Sequence, residues 1–82
     1  MADAPDGFVR IETGADFNRA RNGMRIWIKG SKVPFGTVKG RDRYGDLIIL
    51  WDEEDKESRG FSFAHVASFD FRIPRARPLI LI

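Results

Sequence analysis

Strict alternation of apolar and polar residues recurs along this chain in runs of strand length, and that pattern most limits what it can fold into. In MRIWIK (24–29), Met24, Ile26 and Ile28 fall on one side, and Arg25, Trp27 and Lys29 fall on the other. GFSFA (60–64) sets Phe61 and Phe63 inward, and FDFRI (69–73) does the same with Phe69, Phe71 and Ile73. Successive side chains of a strand point to opposite faces, so these runs predict half-buried strands. DLIILW (46–51) does not alternate. Both of its faces are expected to be covered, which makes it the central strand. GTVKGR (36–41) adds a strand with Val38 inward and Thr37 and Lys39 outward. Gly36 and Gly40 within it predict a close approach or a bulge.

The segments between these runs read as connections. GSKVPF (30–35) and DRYG (42–45) carry turn residues, and DEEDKESR (52–59) is a charged hairpin loop. HVAS (65–68) fits a single 3₁₀ turn, and Pro74 ends the last strand. Ahead of them, residues 1–6 form a loose arm and GFVRIE (7–12) a short strand. Thr13 followed three residues later by Asp16 resembles a capping box, and Asn22-Gly23 is a helix stop. This predicts one or two helical turns over 14–21, with an irregular loop as the alternative. The chain thus divides into an N-terminal arm, strand and helical turn (1–23), a β unit (24–73) and an extended apolar tail (74–82).

At 82 residues, a single domain is expected. There is no cysteine and a single histidine, His65. A disulfide framework, a thiolate metal site and a His-based zinc cluster are thereby excluded. Stability must come from dense apolar packing, and the rings to supply it are present: Phe 7, Trp 2, Tyr 1. MADAPDG at the start has no basic region of the kind a signal peptide carries. No apolar run approaches the roughly 20 residues of a membrane span. A cytoplasmic location without membrane contact is expected, and the absence of cysteine fits it.

The order of these elements resembles the SH3-like small barrel, in its Tudor and KOW branch. Gly36-Thr37-Val38, Leu47 to Trp51 closed by Asp52, and His65-Val66-Ala67-Ser68 before the last strand carry the likeness, over about residues 24–73. The resemblance implies a mainly β fold: about five short antiparallel strands in a small barrel, decorated by a short N-terminal helix. An OB-like barrel and an open α+β sheet are the alternatives. Type II dihydrofolate reductases resemble the chain in length and strand order. Their site comes from a Gln-x-Tyr segment, and GFSFAHV (60–66) lacks it.

Catalysis is not expected. Asp52, Glu53, Glu54, Asp55 and Glu57 share a loop rich in like charge, where they stay solvated and ionised. His65 has no sequence-local nucleophile spacing, and no glycine-rich phosphate loop occurs. No cofactor, metal or small-molecule substrate is implied.

Recognition is the remaining reading. From Arg25 to Asp46, six cations (Arg25, Lys29, Lys32, Lys39, Arg41, Arg43) face two carboxylates, with Trp27, Phe35 and Tyr44 interleaved. Residues 52–59 then carry five negative and two positive charges. Such separated patches steer and orient a protein partner. Expected contact residues are Arg25, Trp27, Lys29, Lys39, Arg41, Arg43, Tyr44, Glu53 and Glu54. Trp27 is either packed beneath the N-terminal helix or exposed as an anchor. The alternative partner is RNA or single-stranded DNA, held on the basic face by arginine, lysine and stacked aromatics. A Tudor-like cage from Trp27, Phe35, Tyr44 and Trp51 would require three of them to converge. In PRARPLILI (74–82), Leu79, Ile80, Leu81 and Ile82 need cover. They either complete the chain's own sheet beside GFVRIE or add to another subunit or partner. The second arrangement suits a homo-oligomer, or a small regulatory or virion-associated assembly protein.

Overall fold

Alternation, caps and turn residues translate into six short strands and two short helices in the computed structural model, which describes residues 4–76. In chain order they are β1 (Phe8–Arg10), α1 (Gly14–Arg19), β2 (Arg25–Ile28), β3 (Phe35–Arg41), β4 (Leu47–Trp51), β5 (Ser58–Phe61), α2 (Phe63–Ser68) and β6 (Phe71–Pro74). The strands form one antiparallel sheet in the order β1-β6-β2-β3-β4-β5.

The fold is mainly β, but no backbone ladder closes the sheet into a barrel among the described residues. β1 and β5 stand at its two edges. The sheet nevertheless curls. Phe61 on β5 and Phe71 on β6 are four strand positions apart, a separation of about 19 Å in a flat sheet. Their ring centroids lie 5.9 Å apart. Trp51 fills the angle between them, 6.0 Å from Phe61 and 6.3 Å from Phe71.

One cluster fills the concave side: Ile26, Val38, Leu47, Ile49, Val66, Phe71 and Ile73, joined by Ile11, Phe17 and Ala20 from the N-terminal segment. That segment therefore belongs to the same sheet and core. β1 pairs with β6 from Phe8↔Pro74 to Arg10↔Arg72. α1 is too short to stand alone. Thr13 caps it by accepting from the Asp16 amide at 3.1 Å, and the Asp16 carboxylate accepts from the Thr13 and Glu12 amides.

Two glycines shape β3. A Cβ on Gly36 would lie 2.8 Å from Trp51 Cε3 and 3.0 Å from the Leu50 carbonyl oxygen, so only glycine lets β3 and β4 meet there. Gly40, at φ +115°, sits where the register shifts after Val38. A residue with a side chain rarely adopts that backbone.

Several expectations need correction. β4 is fifth of six in sheet order rather than central. Its unbroken apolar run is nonetheless buried from Leu47 to Ile49. The single 3₁₀ turn expected at 65–68 is an α-helix beginning at Phe63, because the Ser62 side chain caps it by accepting from the His65 amide. Capping ends the strand alternation early. Phe63 and Phe69, assigned inward, are therefore 39% and 53% exposed. β6 runs through Pro74. Proline is tolerated there because Arg75, one residue on, makes the next ladder bond, donating its amide hydrogen to the Gly7 carbonyl at 2.7 Å.

Candidate functional site

The cations expected to form one basic face are divided by the fold. Arg25 donates two hydrogen bonds to Asp52, at 2.8 and 2.7 Å, and one to Thr37 at 3.1 Å. It is therefore spent on the first residue of the acidic loop. Those bonds hold the Asp52 carboxyl below the usual carboxylate range, against a smaller opposing effect of burial. Arg41 is also committed internally. Its guanidinium donates to the carbonyls of Phe17, Ala20 and Gly45 and lies 4.5 Å over the Phe17 ring. It caps the C-terminal end of α1. Arg43 donates to its neighbour Tyr44 at 2.7 Å and stacks on its ring, leaving Tyr44 73% exposed at the tip of the β3–β4 hairpin. Lys29 and Lys39 are exposed, as are Glu53 and Glu54.

Trp27 is only 2% exposed, which removes it as an accessible anchor. The cover is not α1, whose Phe17 joins the core cluster on the Ile26 side of the sheet. Trp27 lies in register between Phe35 on β3 and Arg72 on β6, with the Arg72 guanidinium 5.8 Å over its ring. Asp70 accepts two hydrogen bonds from Arg72, which fixes that guanidinium in place and lowers the Asp70 pKa. The Trp27 indole N–H has no hydrogen-bond partner among the described residues. The condition for a cage, that three of Trp27, Phe35, Tyr44 and Trp51 converge, is not met among the described residues: Phe35 pairs with Phe8, and Trp51 packs against Phe61 and Phe71. Tyr44 sits at the hairpin tip beyond the start of β4, and Trp51 is at its other end.

What the fold does assemble is a cleft of about 410 Å³ lined by Ile28, Ser31, Lys32, Val33, Trp51, Glu54 and Phe61. The β2–β3 connection forms one wall, and the acidic loop after β4 forms the other. Trp51 and Phe61 make an apolar floor, with Lys32 and Glu54 as the charged lining residues. Of these, sequence reasoning singled out Glu54 as a contact residue. The others come from three separate segments, and no local spacing marks them as neighbours. Apolar residues in loops beside charges, such as Val33 next to Lys32, are the one available hint.

Cations concentrate toward one end of the strands and carboxylates toward the other, with opposite charges among each: Asp42 and Asp46 lie in the β3–β4 hairpin, and Lys29, Lys32 and Lys56 lie in the loops at the acidic end. Arg19, Arg21, Lys39, Arg41 and Arg43 gather where α1 ends and the β3–β4 hairpin turns. Glu53, Glu54, Asp55 and Glu57 stand beyond the other end of β4, about 16 Å of strand away. His65 is exposed on α2, its ring 4.9 Å from Phe69 and 5.7 Å from Phe61. Among the described residues, no group of three His, Asp or Glu is placed to hold a metal ion. No helix among the described residues is long and apolar enough to cross a membrane. Leu79, Ile80, Leu81 and Ile82 lie outside the described residues. No protein-family model, curated protein or solved structure matches the chain.

Proposed function

We propose that this chain is a non-enzymatic interaction module of the SH3-like small-barrel type that recognises an extended protein segment in the cleft floored by Trp51 and Phe61. The carrying observation is the cleft's make-up. Ile28, Val33, Trp51 and Phe61 offer apolar cover, while Lys32 and Glu54 set an orientation. The element order from β2 to β6, with a short helix before the last strand, supports the small-barrel reading, as does the Phe61–Phe71 contact across the curl.

A second reading, binding of RNA or single-stranded DNA, draws on Arg43 stacked upon exposed Tyr44 at the basic end. It keeps Lys39, Arg43 and Tyr44 as contacts, while Lys29, also exposed, stands just past β2 at the opposite end of the sheet. It loses Trp27 to burial, and Arg25 and Arg41 to internal partners.

Selection of peptides from a displayed library, followed by NMR mapping, tests both. The protein reading expects enriched peptides to shift the Trp51 indole, Ile28 and Phe61 signals, and Glu54→Lys to weaken them. Peptides that shift only Tyr44 and Lys39, or no enrichment at all, would overturn it. Salt-sensitive oligonucleotide binding mapped to Tyr44 would favour the second reading.

A further inference from the structure

We infer that copies of this protein associate head to tail, with residues 77–82 (RPLILI) of one copy seated in the Trp51–Phe61 cleft of the next. The inference rests on the cleft being a protein-recognition site, and it names the occupant.

Direction is the first argument. β6 begins at the cleft end of the sheet, where Phe71 pairs with Ile28, and finishes at Pro74 toward the opposite end. The Arg19 guanidinium donates to the Pro74 carbonyl at 3.2 Å, and the Arg75 amide donates to Gly7. The chain is thus tied down while heading away from its own cleft. A second copy stacked along the strand axis presents its cleft to that exit.

Charge complementarity is the second. Arg75 stands at the exit, next to the Pro74 carbonyl that Arg19 holds, and the sequence that follows contributes Arg77. The receiving cleft has Glu54 in one wall, with more carboxylates in the same loop, and Lys32 in the wall opposite, so the arginines of an incoming tail are drawn to the Glu54 side. The acidic wall of one copy can therefore pair with the basic exit of the next.

Apolar matching is the third. Leu79 to Ile82 require cover, and the cleft floor is two aromatic rings flanked by Ile28 and Val33. An interface between different patches of the same chain is heterologous, so dimers extend into longer species as concentration rises.

Sedimentation velocity on the full chain, across concentrations up to about 1 mM, tests this. The wild type is expected to shift from monomer to larger species. The tail variant L79D/L81D and the cleft variant V33D are each expected to stay monomeric. Mixed in equal amounts they should form a dimer, because one retains an intact cleft and the other an intact tail. A wild type that stays monomeric throughout, or variants that fail to complement, would overturn the inference. Should V33D not fold, a peptide of residues 74–82 added to L79D/L81D gives an independent reading. It is expected to shift the Trp51 and Phe61 signals, and E54K should weaken that binding about tenfold. Absence of those shifts sinks the tail assignment. If library-selected peptides still occupy the cleft, protein recognition stands and only its occupant is wrong.

Discussion

Arg25 and Asp52 grip one another across β3 through two hydrogen bonds of 2.8 and 2.7 Å, tying β2 to the residue that follows β4. The pair is almost half exposed on both sides, at 44% and 45%, so its coupling should fall below about 1 kcal/mol in a double-mutant cycle. Its pH dependence has a definite sign. The Asp52 pKa is lowered in the folded state, chiefly by the Arg25 hydrogen bonds. Its contribution is therefore fully present above the unfolded carboxylate pKa of about 3.9 and is lost as pH falls through the lower folded value. Urea midpoints of wild type and Asp52→Asn should differ at neutral pH and converge in acid. A pH-independent gap would show that the carboxylate's charge does not matter. Asp16 and Asp70 shift in the same direction, so the Asp52→Asn variant should still weaken in acid.

Gly36→Ala should destabilise by about 1–3 kcal/mol, because the added methyl meets the Leu50 backbone as well as the Trp51 and Ile49 side chains. Side chains can swing away, but a ladder carbonyl cannot. The denaturation midpoint should drop while its slope holds. A neutral result would mean that β3 and β4 can move apart at little cost.

Arg41 was expected to contact a partner, yet its donors go to Phe17, Ala20 and Gly45. Arg41→Met keeps the aliphatic stem and leaves those carbonyls short of donors, at a cost of about 1–3 kcal/mol. Arg41→Lys should recover little of it, since an ammonium cannot span three acceptors in one plane. Hydrogen exchange should show the loss concentrated in α1. Unchanged protection of the α1 amides would return Arg41 to the surface.

Legibility in the sequence followed the range of the interaction. Alternation is a property of one strand, and it placed Ile26, Val38, Phe71 and Ile73 in the core, where all are fully buried. The Thr13 and Asp16 spacing and the glycines of β3 were readable for the same reason. Trp27 misled because its polar neighbours mark a wet face, whereas Arg72 covers it from a strand 45 residues later. The cleft was hidden for the same reason: Ile28, Trp51 and Phe61 meet only once the sheet curls. Phe63 and Phe69 failed differently. Their spacing suits a strand, but the Ser62 cap turns the chain into α2 first.

Phe69 and Phe71 make that last point measurable. The alternation in FDFRI assigns both rings to the same inner face, so truncating either would be expected to open a comparable cavity. In the folded chain Phe71 is fully buried, with Phe61, Trp51 and His65 within 6.3 Å of its ring centre. Phe69 is 53% exposed and stacks mainly on His65. Phe71→Ala should therefore cost about 3–5 kcal/mol, enough to unfold much of a domain this small at ambient temperature. Phe69→Ala should cost less than about 1 kcal/mol and leave the thermal midpoint within a few degrees of wild type. If the two variants lose stability equally, then α2 packs Phe69 inward and the sheet's concave side holds a ring more than the cluster around Phe71 accommodates.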